Sequence, residues 1–495
     1  MKIAKPRCSL RVSTSARFVL FATGLLCIPT IVAAQDAALT VAKQVATPSP
    51  SVAAQDTASP PEAGKETSFW KRDTLTGDWD GARTALKDKY GTEVTVNYIG
   101  ETLSVLSGGL HRHTSYEGRL ELSLDTDLQT FAGWKGGSTH VTVFNIEGGR
   151  HNAEQNVGSI ADPSNIDAHP TTRLFTVWFQ QKLFDDRLSL RVGQLASDDE
   201  FFLSPTAGGL INATFGWTGM LGANIRSGGP AYPLSAPGVR IAIKPAERLN
   251  FVTAVFSGDP AGRHCNRDPQ DCNNHGTTFS FSGGALWMNE LQYATHQDKK
   301  EEGLPGIYKL GAWYATTGYA DKHYGRNGVG GVVSLADPAA VAPLNHVGNW
   351  GLYGLADQTV ARWGKRSLSM FLRTGIQPTD RNLISYHVDG GAGLKGLLPG
   401  RSDDLLTFGI AYRRISASAI ALDRDMLATN GAPYPIRNYE MQVELDYSAQ
   451  IAPWWTLQLD LQHIRHPGGR VPDPANPNLI VKGAFVAGVR NTVRF

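Results

Sequence analysis

The last fourteen residues, Lys482 to Phe495, constrain the fold more than any other stretch. They read KGAFVAGVRNTVRF. Phe485, Ala487, Val489, Val493 and Phe495 share one parity, while Arg490, Thr492 and Arg494 share the other. A period of two belongs to a strand with one apolar and one wet face. The stretch is long enough to cross a bilayer when tilted. It ends on an aromatic residue, as strands that close outer-membrane barrels do, with the ring at the membrane interface. An edge strand of a soluble β-sandwich would also alternate in this way, so the rest of the chain has to decide.

Residues 1–34 read as a secretory signal peptide. Lys2, Lys5, Arg7, Arg11 and Arg17 form the basic region, Phe18 to Ile31 the apolar core, and Val32-Ala33-Ala34 the cleavage site. Cys27 follows the bulky Leu26, which argues against a lipoprotein anchor. The formal charge of +2 includes five basic and no acidic residues of this leader, so the remainder is mildly acidic and a nucleic-acid partner has no support. Beyond the leader no run of eighteen apolar residues occurs, which excludes helical membrane spans. Residues 35–67, rich in Ala, Pro, Ser, Thr and Gln, read as a disordered tether. In residues 68–92 the sequence predicts a short periplasmic helix. Asp78 or Asp80 is its cap, Trp79, Ala82, Leu86 and Tyr90 lie on one face, and Gly91 is its stop. This helix would pack against the inner end of the strands that follow.

From residue 93 to the C-terminus the chain reads as an all-β, transmembrane antiparallel barrel. About sixteen strands are expected, starting near Val94, Tyr116, Ser138, Thr172, Arg187, Pro237, Leu249, Gly283, Gly306, Asn349, Ser367, Ser385, Asp404, Arg437, Trp454 and Lys482. Short connections (244–248, 363–366, 451–454) alternate with long ones (148–171, 196–236, 258–282, 317–348, 414–436). Short turns at one end and long loops at the other are how outer-membrane barrels are built. The alternation is clearest where Tyr439, Met441, Val443, Leu445 and Tyr447 oppose Asn438, Glu440, Gln442, Glu444 and Asp446. Leader, terminal aromatic and loop asymmetry together favour the barrel over the sandwich.

Cys265 and Cys272 sit in GRHCNRDPQDCNNHG, which in an exported chain reads as a loop disulfide. The flanking His264 and His275 leave a metal site as the alternative. Gly391 to Gly396 fits GxGxxG, but Pro399 and Gly400 follow too closely for a phosphate-holding helix, so it reads as a glycine-rich strand and turn. No HExxH, GxSxG or P-loop motif is present, and neither an enzyme nor a cofactor is expected.

Five stretches together resemble the carbohydrate-selective porins of Gram-negative outer membranes, the OprB type. They are LTGDWDGARTALKDKYG (75–91), LSLRVGQLASDDEFF (188–202), INATFGW (211–217), YPLSAPGVRIAIKP (232–245) and the ending from WWTLQLDLQHIRHPGG to AFVAGVRNTVRF. The resemblance implies a sixteen-stranded barrel that passes glucose-like monosaccharides by facilitated diffusion. The Ala/Pro-rich tether departs from that pattern. Small sugars, outer-membrane lipid and, through Phe495, the barrel-assembly machinery are the expected partners.

A sugar-selective pore needs hydrogen-bonding groups of mixed charge and an aromatic platform. By parity, the strand near Thr172 turns Phe175, Val177 and Phe179 to lipid and Thr176, Trp178 and Gln180 inward, which makes Trp178 the stacking candidate, with a girdle position as its alternative. The roughly forty-residue connection 196–236 is too long and too apolar to stand free in solvent and is expected to fold inward as a constriction. Asp198, Asp199 and Glu200 would then stand near the pore, across it from Arg191 and Arg119; a solvated acidic run is the alternative. Glu121, Arg240, Glu440, Glu444 and Arg490 read as wall-lining ion pairs rather than binders.

Overall fold

The computed structural model describes residues 68–149, 152–298, 301–430 and 434–495. The expected leader and tether lie outside these residues.

Sixteen antiparallel strands form one closed barrel. They are β1 (Thr92–Gly109), β2 (Thr114–Asp127), β3 (Gly137–Gly148), β4 (Thr171–Leu183), β5 (Leu188–Leu195), β6 (Ala236–Ala246), β7 (Leu249–Ser257) and β8 (Ala285–Thr295). The second half is β9 (Gly306–Asn327), β10 (Ala340–Trp363), β11 (Arg366–Ile376), β12 (Ile384–Lys395), β13 (Leu405–Ile415), β14 (Tyr439–Ala452), β15 (Trp455–Arg465) and β16 (Lys482–Arg494). Each pairs with its neighbour in sequence, and β16 closes on β1 with Val105 opposite Val486 and Asn97 opposite Arg494. Closure leaves no unpaired edge, which lets a sheet stand in hydrocarbon.

The outer face carries the apolar parity. Leu120, Leu122 and Leu124 on β2, Leu459 and Leu461 on β15, and Phe485 and Val489 on β16 are all exposed. Two aromatic rows bound this band. Trp287, Tyr314 and Trp350 are register neighbours across β8–β10, and Tyr293 pairs with Tyr308 six residues further along β8. At about 3.4 Å per residue the rows stand roughly 20 Å apart along the strand, which matches an apolar band between two interface girdles.

Three local differences from the sequence reading have physical causes. The stretch 317–348 is not a free loop: β9 and β10, 22 and 24 residues long, run on as a ribbon joined by the short strand Val332–Ser334. The connection 414–436 holds a helix, α2 (Ala417–Asn430), after the earlier α1 (Ala82–Tyr90). The third difference is Phe175, which does not face lipid. A bulge where Thr142 pairs with Thr176 but Val143 pairs with Leu174 turns Phe175 inward, where it packs with Phe144, Ile146 and Tyr232.

Helix α1 sits at the short-turn end. Asp78 accepts from the Thr84 N–H at 2.9 Å and the Thr84 hydroxyl at 2.8 Å, and Gly91 ends the helix in the left-handed conformation at φ 61°. Arg83 donates to the Phe495 carbonyl, the Leu75 N–H donates to Arg494 O at 2.7 Å, and Trp454 Nε1 donates to Phe69 O at 3.1 Å. The segment ahead of β1 is thereby fastened to the seam of the barrel.

Candidate functional site

The lumen is largely filled by its own loops. Residues 196–235 leave β5, cross the interior and bond to the wall from β8 round to β15. The N–H of Phe202 donates to Glu290 at 2.7 Å, and the N–H of Thr206 to Asp357 at 2.8 Å. Arg373 on β11 donates to the carbonyls of Phe202 (3.1 Å), Gly216 (3.0 Å) and Thr214 (2.9 Å), while its Nε holds Asp389 at 2.8 Å. Arg413 on β13 reaches the Thr214 hydroxyl at 2.5 Å, and Gln458 on β15 donates to Gly209 O at 3.0 Å. A backbone segment inside a barrel carries obligatory donors and acceptors, and lumen side chains satisfy them here.

Apolar packing fixes the same loop. Phe201, Phe202, Met220, Leu221 and Ile225 bury themselves against Val252, Phe256, Leu286, Met288, Trp313 and Tyr353 on the inner face of β7–β10. On these four strands much of the inward parity is apolar as well, so about a quarter of the lumen wall is mainly packed core, interrupted by buried polar groups such as Glu290, Lys309 and Asp357.

A second connection, between β3 and β4, folds in beside the first. The N–H groups of Ile160 and Ala161 donate to Glu440 at 2.8 and 3.4 Å, and Ser164 donates to Glu101. Backbone bonds join the two infolded loops, from Asn165 N to Ile211 O (2.9 Å) and from Ala213 N to Asp162 O (3.0 Å). The sequence reading did not single out this second plug.

The residues expected to line the channel fall into one region on β2–β6. Trp178 points inward and is half-buried. His140, its register partner on β3, stacks on the indole with centroids 4.9 Å apart, and the Arg191 guanidinium of β5 lies 3.9 Å from the ring centroid. The indole is thus flanked from the strands on either side of β4 and is not a bare platform. Gly193 allows this approach: a Cβ there would stand 2.2 Å from Val177 O and 2.6 Å from Trp178 Cα, and its φ is +150°.

Glu200 does not stand across the pore from Arg191. It sits beside it, at 3.0 Å from Arg191 and 2.6 Å from Arg240, and Gln180 accepts from both guanidinium groups at 3.0–3.2 Å. Asp199, half-buried, lines the same narrow gap with Arg191, Glu200 and Arg240. Asp198 turns the other way and accepts from the Tyr232 N–H at 2.8 Å. Burial pushes its carboxyl up to about 6, an effect that this N–H and Arg119 only partly offset. Arg119 pairs with Glu121 at 3.3 Å and lies over Phe144 and Tyr232 at 4.7 and 5.1 Å. Of the wall charges, Glu440 meets Arg413, Arg490 meets Glu101, and Arg240 meets Glu200, whereas Glu444 binds loop backbone instead of a cation.

The Cys265 and Cys272 sulfurs are joined, with Cα atoms 5.8 Å apart, in a loop that lies over the outer ends of β4 and β5 through Leu174 N to His275 O (3.0 Å) and Gln194 Nε2 to Gly276 O (2.6 Å). The GxGxxG stretch is the end of β12 and the turn after it. The one group of metal-ligand type among the described residues is Glu444, Asp446 and Asp460.

A closed barrel with a lipid-facing apolar band, and a lumen narrowed by infolded loops to a region of mixed charge, defines an outer-membrane porin. The model of the carbohydrate-selective porin, OprB family, matches residues 111–495. Porin B of Pseudomonas aeruginosa is 25% identical over 464 residues, which span 87% of this chain and 92% of Porin B. The putative porin QuiX of Acinetobacter baylyi is 25% identical over 462 residues, 86% of this chain and 94% of QuiX. The high-pH structure of Pseudomonas putida OprB shares the fold with a TM-score of 0.74 at 23% identity, covering 87% of this chain and 100% of that one. The chain belongs to the OprB family: it is a carbohydrate-selective porin of the outer membrane.

Proposed function

We propose that the sugars this porin passes best are glucose-sized and neutral, and that they cross passively along the β2–β6 wall. The observation that carries this reading is the cluster of His140, Trp178, Arg191, Arg240 and Glu200. Two guanidinium groups share one carboxylate and one amide, so the narrow region offers many donor directions with little excess charge. A neutral polyol gains from such a lining, because hydroxyl groups both donate and accept. An anion or cation of the same size finds its own charge matched by no single-sign ring.

Trp178 works in this reading as the centre of a stack. It holds the Arg191 guanidinium in place beside Gln180 and Glu200, which fixes these hydrogen-bonding groups at the narrow region. Arg119 and Glu121 lie further along the same wall. The chain is a channel, and we assign none of these groups a catalytic role. The apolar outer face fits outer-membrane lipid, and the terminal strand with Phe495 fits recognition by the barrel-assembly machinery.

Liposome swelling tests the size and charge preference. Glucose should enter faster than gluconate and much faster than a disaccharide. Equal rates for all three would overturn the reading and leave a general diffusion pore.

A further inference from the structure

We propose that Glu444, Asp446 and Asp460, with the hydroxyl of Thr407, form a binding site for a hard divalent cation of the calcium type, which ties the infolded loop to the β13–β15 wall. One oxygen from each carboxylate lies within 4.8 Å of the others. Asp446 faces Asp460 directly across the β14–β15 register, and Glu444 lies two residues along the same face of β14. Glu444 and Asp446 are 0% exposed and Asp460 is 2% exposed.

Most other buried lumen acids are matched; Glu117 and Asp198 each hold one backbone N–H and leave one oxygen over, but neither belongs to a group of three carboxylates. Glu440 meets Arg413, Glu101 meets Arg490, Asp389 meets Arg373 and Glu290 meets Lys309. Asp357 has no cation, but three donors from Ser204 and Thr206 fill both of its oxygens. The Glu444 cluster differs. Among the described residues none of its members is in an ion pair, and the donors present leave oxygens over. The N–H groups of Ile211 and Asn212 bind Glu444, the Ile211 N–H and Gln458 donate to Asp446 Oδ2 at 3.2 and 3.1 Å, and Gln462 donates to Asp460 Oδ2 at 3.2 Å. Asp446 Oδ1 and Asp460 Oδ1 have no partner and are sealed from solvent.

An independent feature points to the same spot. Thr407 on β13 is the register partner of Asp446, is 0% exposed, and carries a hydroxyl oxygen with no hydrogen-bond partner. Three oxygens from three adjacent strands therefore hold unused lone pairs in one register row, next to a third carboxylate. Unmatched buried charge is costly, so a counter-charge belongs here.

The donor set decides its chemistry. All the ligand atoms are oxygen, with no nitrogen or sulfur, which selects a hard cation. Calcium takes 6–8 oxygens at about 2.3–2.6 Å in irregular geometry, so oxygens on opposite sides of one ion stand about 5 Å apart. Magnesium demands a tight octahedron and keeps its water, which suits a dry, uneven cluster poorly. Because Ile211 and Asn212 already hang on Glu444, an ion here would fix the middle of the constriction loop.

The test uses the full chain, folded in detergent and stripped with a chelator, then dialysed to equilibrium against radiolabelled calcium. The wild type should hold one more calcium per barrel than the Asp446→Asn/Asp460→Asn double variant. Calcium should raise the temperature at which the folded band is lost on heating in the wild type and leave the variant unmoved. Equal calcium binding by both would mark any bound ion as adventitious and overturn the proposal, as would no binding by the wild type; the carboxyl groups would then share protons. Thr407→Val keeps the test decisive should the double variant fail to refold. It removes one oxygen ligand at constant shape, so calcium affinity should drop several-fold, and unchanged affinity would contradict the site.

Discussion

Thr206 of the infolded loop binds Asp357 of β10 twice, through its N–H at 2.8 Å and its hydroxyl at 2.7 Å, so the two oxygens of one carboxylate hold a loop that started five strands away on β5. Ser204 adds a third donor to the same group at 2.5 Å. Asp357→Ala removes the acceptor for all three and leaves a buried N–H unmatched, at a cost of roughly 3 kcal/mol or more. The apolar packing of Phe201 and Phe202 remains, so the barrel should still form. Single-channel current should become noisier and larger. Current with wild-type size and quietness would mean that Asp357 does not hold the constriction.

Glu200 balances Arg191 and Arg240. Glu200→Gln keeps the shape and deletes the negative charge, leaving two guanidinium groups at the narrow region. The reversal potential in a salt gradient should shift toward anion preference. An unchanged reversal potential would show that ions do not pass near this group.

Trp178 is held between His140 and Arg191 by stacking and cation–π contact. Contacts of this kind are worth about 1–2 kcal/mol in a partly desolvated site. Trp178→Ala should therefore release the Arg191 guanidinium and weaken sugar block several-fold while leaving the heat-modifiable migration of the folded barrel in place. Unchanged sugar affinity together with lost migration would make Trp178 a structural residue.

The constriction loop should also respond to pH. Burial raises the Asp198 carboxyl to about 6 from the usual 3.8, so the folded loop favours its protonated form. That contribution is fully present below the ordinary value and is lost as pH rises through about 6. Hydrogen exchange in residues 196–235 should thus show more protection at pH 5 than at pH 8, after correction for the intrinsic rate. Asp198→Asn keeps the acceptor for the Tyr232 N–H and should erase the difference. A pH difference that survives in the variant would belong to another group.

Much of this architecture was legible in the sequence, and what escaped has identifiable causes. Each expected strand start matches a strand of the barrel, because a period of two under one-sided burial is a strong signal. Phe175 escaped because a single bulge reverses parity, and no residue type in TRLFTVW marks it. The apolar stretch of the lumen wall on β7–β10 escaped because strands such as LNFVTAVFS are apolar on both faces, which periodicity alone does not resolve. The site region was readable as a set of inward charges near the loop, but the pairing of Glu200 beside Arg191 depended on the path of the loop. Arg373 and Asp357 could have been singled out as charges at inward positions of otherwise apolar strands. Their partners could not, since carbonyl and N–H groups of the loop backbone carry no sequence signature.

Sugar passage through the lumen is tested most directly by single-channel current through the refolded protein in a planar bilayer, with glucose titrated in. Current should fall and saturate as glucose occupies the region around Trp178 and Arg191. Open current indifferent to glucose at every concentration would contradict it.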